Sequence, residues 1–165
     1  MTAELDLNEI DYTCRQIRDD IIINYPYYKS HVHFLYYYGC RIGELFNYRI
    51  SYDANSNKLL IDPQKKNNIR SLTIVSFDTL PMLEELQLKQ ETQHINKRNL
   101  QRIIEKVNIY RNLKTGNKKI GAHLFRHNWI KKQVADGKQF EEINQLLGYT
   151  SQSIQDTYLT SKIYY

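Results

Sequence analysis

Two cysteines in 165 residues, Cys14 and Cys40, are too few for a disulfide framework, and neither stands with histidines at zinc-ligand spacing. Both are expected to be reduced, buried thiols. No apolar run approaches the roughly 20 residues that a membrane-spanning helix requires. No basic segment followed by an apolar stretch opens the chain, which begins MTAELDLNEI. The expectation is a cytoplasmic protein with no membrane association. Internal repeats and low-complexity tracts are also missing, and the length suits one domain with its own core. Acidic residues are scarce in one stretch: from Lys97 to Lys132, Glu105 is the single acid against eleven Lys or Arg, whereas residues 1–28 carry six acids and two bases. A formal charge of +5 distributed in this way makes the second half a candidate surface for a polyanion.

Leu7, Ile10, Cys14, Ile17 and Ile21 recur at steps of three and four, which predicts an amphipathic helix ended by Tyr25-Pro26. A second apolar and aromatic stretch over 29–38 stops at Gly39, and a short helix follows from Arg41 to about Tyr48. Asp53, Asn55, Ser56 and Asn57 mark a turn between two extended segments, the second being Lys58 to Asp62. A polar hairpin over 63–68 leads into a third strand, Arg70 to Val75. Helical spacing then returns with Leu80, Leu83 and Leu86, followed by Leu100, Ile103, Ile104 and Val107. Arg98, Arg102 and Lys106 fall every four residues on the polar face of that helix. After a basic loop, KTGNKKIG, helices are expected at 123–135, 140–147 and 151–160, with Gly137 and Gly148 as stops. The fold class is mainly α with a small three-stranded antiparallel sheet.

Chemistry is suggested at several points. His123 and Arg126 are three apart on a predicted helix and can reach one anionic group from a shared face. Arg41, in GCRIGEL, stands beside a largely apolar stretch, where a guanidinium needs an anionic partner, and Glu44 is placed to orient it. Each signal alone has a bland reading as a surface pair or a packed residue. Most of the fourteen tyrosines must likewise be packing or surface residues.

In combination, these motifs resemble the tyrosine recombinase (phage integrase) family from about Tyr36 to Ser161. GCRIGEL is similar to the family's first-arginine motif and implies Arg41 and Glu44. QKKNNIR resembles the lysine turn between the second and third strands, with Lys65 as its lysine, twenty-four residues after Arg41, and Lys66 as the alternative. HLFRH is similar to the H-x-L-R-H box, with Phe125 at the usual leucine, and implies His123 and Arg126. LLGYTSQSIQDTYL resembles the terminal box and implies Tyr158 as the nucleophile. The family usually has histidine, sometimes tryptophan, after Leu-Leu-Gly; here it is Tyr149, whose hydroxyl is also a hydrogen-bond donor.

The resemblance implies site-specific cleavage and rejoining of double-stranded DNA through a 3′-phosphotyrosine, with no metal and no cofactor. Arg41 and Arg126 would stabilise phosphate charge, His123 would take the Tyr158 proton, Lys65 would protonate the leaving oxygen, and Tyr149 would donate to the phosphate. Arg98, Arg102, Lys106, Lys114, Lys118 and Lys119 are the expected DNA contacts. Residues 1–165 are read as a single catalytic domain without the family's N-terminal core-binding domain, monomeric alone and assembling on DNA when full-length. The competing readings are a type IB topoisomerase-like relaxation activity and a non-catalytic DNA-binding module whose site has decayed.

Overall fold

The structure, a computed structural model, describes residues 7–63, 69–92, 97–113 and 121–148. Helix α1 (Leu7–Asn24) buries Ile10, Cys14, Ile17 and Ile21 along the expected stripe. Pro26 opens a single 3-10 turn, Pro26–Tyr28, where its fixed φ suits a first helical position. Helix α2 (Lys29–Tyr38) is buried on nearly every side, the mark of a central core helix. It packs against α1 and against α4 (Thr79–Thr92) and α6 (His123–Ala135). Helix α3 (Ile42–Asn47) leads into the sheet, whose strands β1 (Arg49–Asp53), β2 (Lys58–Asp62) and β3 (Arg70–Thr73) are antiparallel in the order β1-β2-β3. Asp53 accepts the Asn55 amide at 3.1 Å, and Asn57 takes a left-handed φ of 55°, closing the first hairpin as the turn residues predict.

Register sets the inner face of the sheet. Tyr52, Leu59 and Leu72 make one cross-strand row, and Ile50, Ile61 and Arg70 make the next. An arginine therefore stands in a row of apolar side chains and is buried there. In α4, Leu83 and Leu86 are buried as expected but Leu80 is exposed; Thr79 takes the inward place instead, its hydroxyl held by His33 and Tyr38. Helix α5 (Lys97–Arg111) buries Leu100, Ile103, Ile104 and Val107 and leaves Arg98, Arg102 and Lys106 exposed, as its pattern predicts. Helix α7 (Phe140–Leu147) buries Ile143 and Leu147 and ends at Gly148 in a left-handed conformation. Cys14 and Cys40 are free and buried, and burial pushes both thiols up, Cys40 to about 12. Among the described residues no helix is long and apolar enough to cross a membrane.

Candidate functional site

The site begins at the end of α2. Gly39 has φ of 62°, and a Cβ there would lie 2.6 Å from the Trp129 ring of α6, so only glycine allows the chain to turn at this distance. The turn sends Cys40 into the core and leaves Arg41 exposed at the N-cap of α3. A helix C-terminus carries unsatisfied carbonyls and a partial negative charge. Two guanidiniums converge on it: Arg70 Nη2 donates to the Tyr38 carbonyl at 3.0 Å, and Arg126 Nη1 donates to the Gly39 carbonyl at 2.9 Å.

Glu44 completes this cluster from the first turn of α3. Its Oε1 accepts the Arg41 main-chain amide at 2.6 Å, while Arg70 Nη1 lies 2.9 and 3.2 Å from its two oxygens and Arg126 Nη1 lies 3.4 Å from Oε1. Glu44 thus holds Arg41 by its main-chain amide, and its carboxylate also faces Arg70 and Arg126. One buried carboxylate faces two buried guanidiniums. Burial and the neighbouring Arg70 pull Arg126 down to about 9 against the pull of Glu44, which still leaves it cationic at neutral pH.

His123 is the first residue of α6, and its ring stands perpendicular to that of His127 at 4.5 Å. Desolvation against the cleft wall, then the charges of Arg126 and Arg41, lower its pKa below the ordinary histidine value. It is therefore neutral near pH 7 and can accept a proton. Burial, followed by His123 and Arg126, takes His127 down to about 3, so it stays neutral as well.

Arg41, Glu44, His123 and Arg126 line one cleft of about 460 Å³, and Lys97 and Gln101 of α5 line it too. The sequence reading brought the first four together and missed the last two. Their four-residue spacing beside the buried stripe of α5 was the available signal. Arg70 was also missed as a site residue, although an arginine at an inward position of a strand demands an anion. Farther along α5, Arg102 and Lys106 line a second groove of about 500 Å³ with Tyr25, Pro26, Tyr27 and Tyr28. Lys65, Lys66, Lys114, Lys118, Lys119, Tyr149, Tyr158 and the helix expected over 151–160 lie outside the described residues. Among the described residues no group of three or more His, Cys, Asp or Glu side chains is placed to hold a metal ion.

The fold is similar to that of XerA recombinase, with a TM-score of 0.67 at 20% identity over 96% of this chain and 60% of that one. It is also similar to XerH site-specific recombinase in a post-cleavage complex with a palindromic difH substrate, with a TM-score of 0.69 at 15% identity over 96% of this chain and 50% of that one. A pre-cleavage XerH complex with difH gives 0.67 at 16% identity, covering 94% and 49% of the two chains. The chain therefore spans 60% or less of the length of these structures. No curated protein matches it. The likeness establishes the fold, that of a tyrosine recombinase catalytic domain, and a family model described as "Phage integrase family" matches residues 5–163. Matched along nearly its whole length, the chain belongs to the phage integrase family of tyrosine recombinases.

Proposed function

We propose that residues 1–165 form a single catalytic domain that cleaves and rejoins double-stranded DNA at specific sites, holding the cut strand on Tyr158 through a 3′-phosphotyrosyl bond. The observation that carries this reading is the single cleft lined by Arg41, Glu44, His123 and Arg126, which come from two motifs about eighty residues apart in sequence. A phosphodiester gains negative charge on its non-bridging oxygens as a fifth oxygen attacks phosphorus. Forked guanidinium donors suit those oxygens, and donors already fixed in place need little reorganisation when the charge develops.

In the proposed reaction the Tyr158 oxygen attacks phosphorus, its proton passes to neutral His123, and the bond from phosphorus to the 5′ oxygen breaks. Lys65 supplies the proton to the departing 5′ oxygen. Arg41 and Arg126 stabilise the charge that develops between these events, and the Tyr149 hydroxyl donates to the same phosphate. The phosphotyrosyl bond conserves the energy of the broken phosphodiester, so a second DNA end rejoins without a nucleotide cofactor. Lys97 and Gln101 are added here to the DNA contacts, next to Arg98, whereas Arg102 and Lys106 serve a neighbouring stretch of duplex. Lys114, Lys118 and Lys119 complete the proposed DNA surface.

Nicked suicide DNA, which loses a short fragment on cleavage and so traps the adduct, tests the reading. The parent should form a covalent complex whose DNA-linked peptide contains Tyr158, and Tyr158→Phe should bind DNA without forming it. An adduct on Tyr149, Tyr164 or Tyr165 would overturn the nucleophile. DNA binding without any adduct would leave a binding module in place of an enzyme.

A further inference from the structure

Arg70 is a buried cation with four hydrogen bonds, and although it closes the QKKNNIR segment, no role was read for it there. It is 2% exposed and comes from the inner face of β3. Its Nη1 meets both oxygens of Glu44 and its Nη2 meets the Tyr38 carbonyl. Its Nε donates to the main-chain carbonyl of Leu146 at 2.7 Å, across seventy-six residues of sequence.

That last bond lies at a particular place. Leu146 is in the final turn of α7, whose carbonyls have no partner within the helix, and α7 buries only Ile143 and Leu147 along its eight residues. Phe140 and Leu146 also pack, half-buried, against the core, so apolar contact seats the helix and the Arg70 bond adds a directional hold at its C-terminal turn. Beyond it come Gly148, Tyr149 and, eleven residues after Leu147, Tyr158. At its other arm the same guanidinium grips the carboxylate that takes the Arg41 amide and faces Arg126. One planar group thus spans the exit of α7 and the arginine cluster. A planar fork with donors in fixed directions transmits geometry that a single rotating ammonium cannot.

We infer that Arg70 is a positioning residue, which fixes the C-terminal end of α7, the point from which the chain continues to Tyr149 and Tyr158, relative to Arg41 and Arg126. The inference rests on the reading of Tyr158 as nucleophile. Arg70 need not touch DNA; it acts by keeping attacking oxygen and phosphate aligned, where a displacement of about 1 Å costs on the order of a hundredfold in rate.

The test compares the full chain with Arg70→Lys and Arg70→Ala. Urea unfolding, DNA affinity and single-turnover cleavage of nicked suicide DNA at saturating enzyme are measured for each. Lysine keeps a cation beside Glu44 but cannot also reach Leu146 and Tyr38. Arg70→Lys should therefore remain folded and bind DNA within about twofold of the parent, while its cleavage step slows roughly ten- to a hundredfold. In Arg70→Ala, methylguanidinium at millimolar concentration should restore part of the cleavage rate and methylammonium should not. A merely structural role predicts a different pattern, in which the rate per folded, DNA-bound molecule is unchanged and both cations act alike through stability. Parental cleavage by folded Arg70→Lys would overturn the inference and leave the nucleophile assignment standing. If the parent forms no adduct on Tyr158, both fall together.

Discussion

Replacing Glu44 with glutamine should be among the most destabilising changes available in this fold. The residue is 5% exposed, and its charge faces Arg70 at 2.9 and 3.2 Å and Arg126 at 3.4 Å. Glutamine matches it in size and keeps one oxygen for the Arg41 amide, so neither volume nor that hydrogen bond is lost. What is lost is the charge, and the new amide nitrogen points a donor at guanidinium donors. Removing one partner of a buried ion pair costs about 3–5 kcal/mol, because the other charge stays buried without compensation. Here the carboxylate faces two guanidiniums, which favours the upper part of that range. With a urea slope of about 2 kcal/mol per molar, the unfolding midpoint should fall by roughly 1.5–2.5 M. Trp129, the single tryptophan, lies with its ring centroid 5.9 Å from the Arg70 guanidinium and reports the cluster by fluorescence. Glu44→Asp, which keeps the charge, should lose less. A loss under about 1 kcal/mol for Glu44→Gln would refute the view that this carboxylate holds the two arginines together.

Gly39→Ala should destabilise by more than about 1 kcal/mol, read by the same urea melt, because φ is positive there and the new Cβ meets the Trp129 ring at 2.6 Å; wild-type stability would show that the turn can move away from α6. Burial pushes the Asp11 carboxyl up, but hydrogen bonds from Lys132, Asn128 and Tyr36 more than offset it and hold the group at about 2, below its ordinary 3.8. Its contribution, about 1–2 kcal/mol, is present in full above the unfolded value and fades as pH falls toward 2, so Asp11→Asn should flatten the acid limb of a stability-versus-pH curve. With its pKa lowered by desolvation, Arg126 and Arg41, His123 should keep cleavage going below the pH at which free histidine protonates, and the acid limb of the single-turnover rate profile should vanish in His123→Gln; an unchanged limb would assign the proton elsewhere. The logarithm of DNA affinity should decline with the logarithm of salt by about 0.9 per phosphate contact, and Lys97→Ala should reduce that slope by about one unit.

Local patterns made much of the fold legible. The apolar stripes of α1 and α5, the glycine stops of α2 and α7 and the Asp53 to Asn57 turn each depend on residues within a few positions of one another. Their spacing is a direct consequence of helical and strand periodicity. The exchange of Leu80 for Thr79 at the inward position of α4 shows where such reasoning stops. A buried threonine is acceptable only because His33 and Tyr38 from α2 satisfy its hydroxyl, and those partners are more than forty residues away.

The candidate site divides along the same line. Arg41, Glu44, His123 and Arg126 could be picked out because their motifs are short and self-contained, so sequence alone determined which side chains were candidates. Which charges they face was decided by tertiary structure. The distance from β3 to Glu44 is set by sheet register, the approach of α6 to Gly39 by the Trp129 contact, and the arrival of α7 beside Arg70 by the burial of Ile143 and Leu147. Electrostatic partners are chosen by distance in space, and in a folded chain that distance has no fixed relation to separation in sequence.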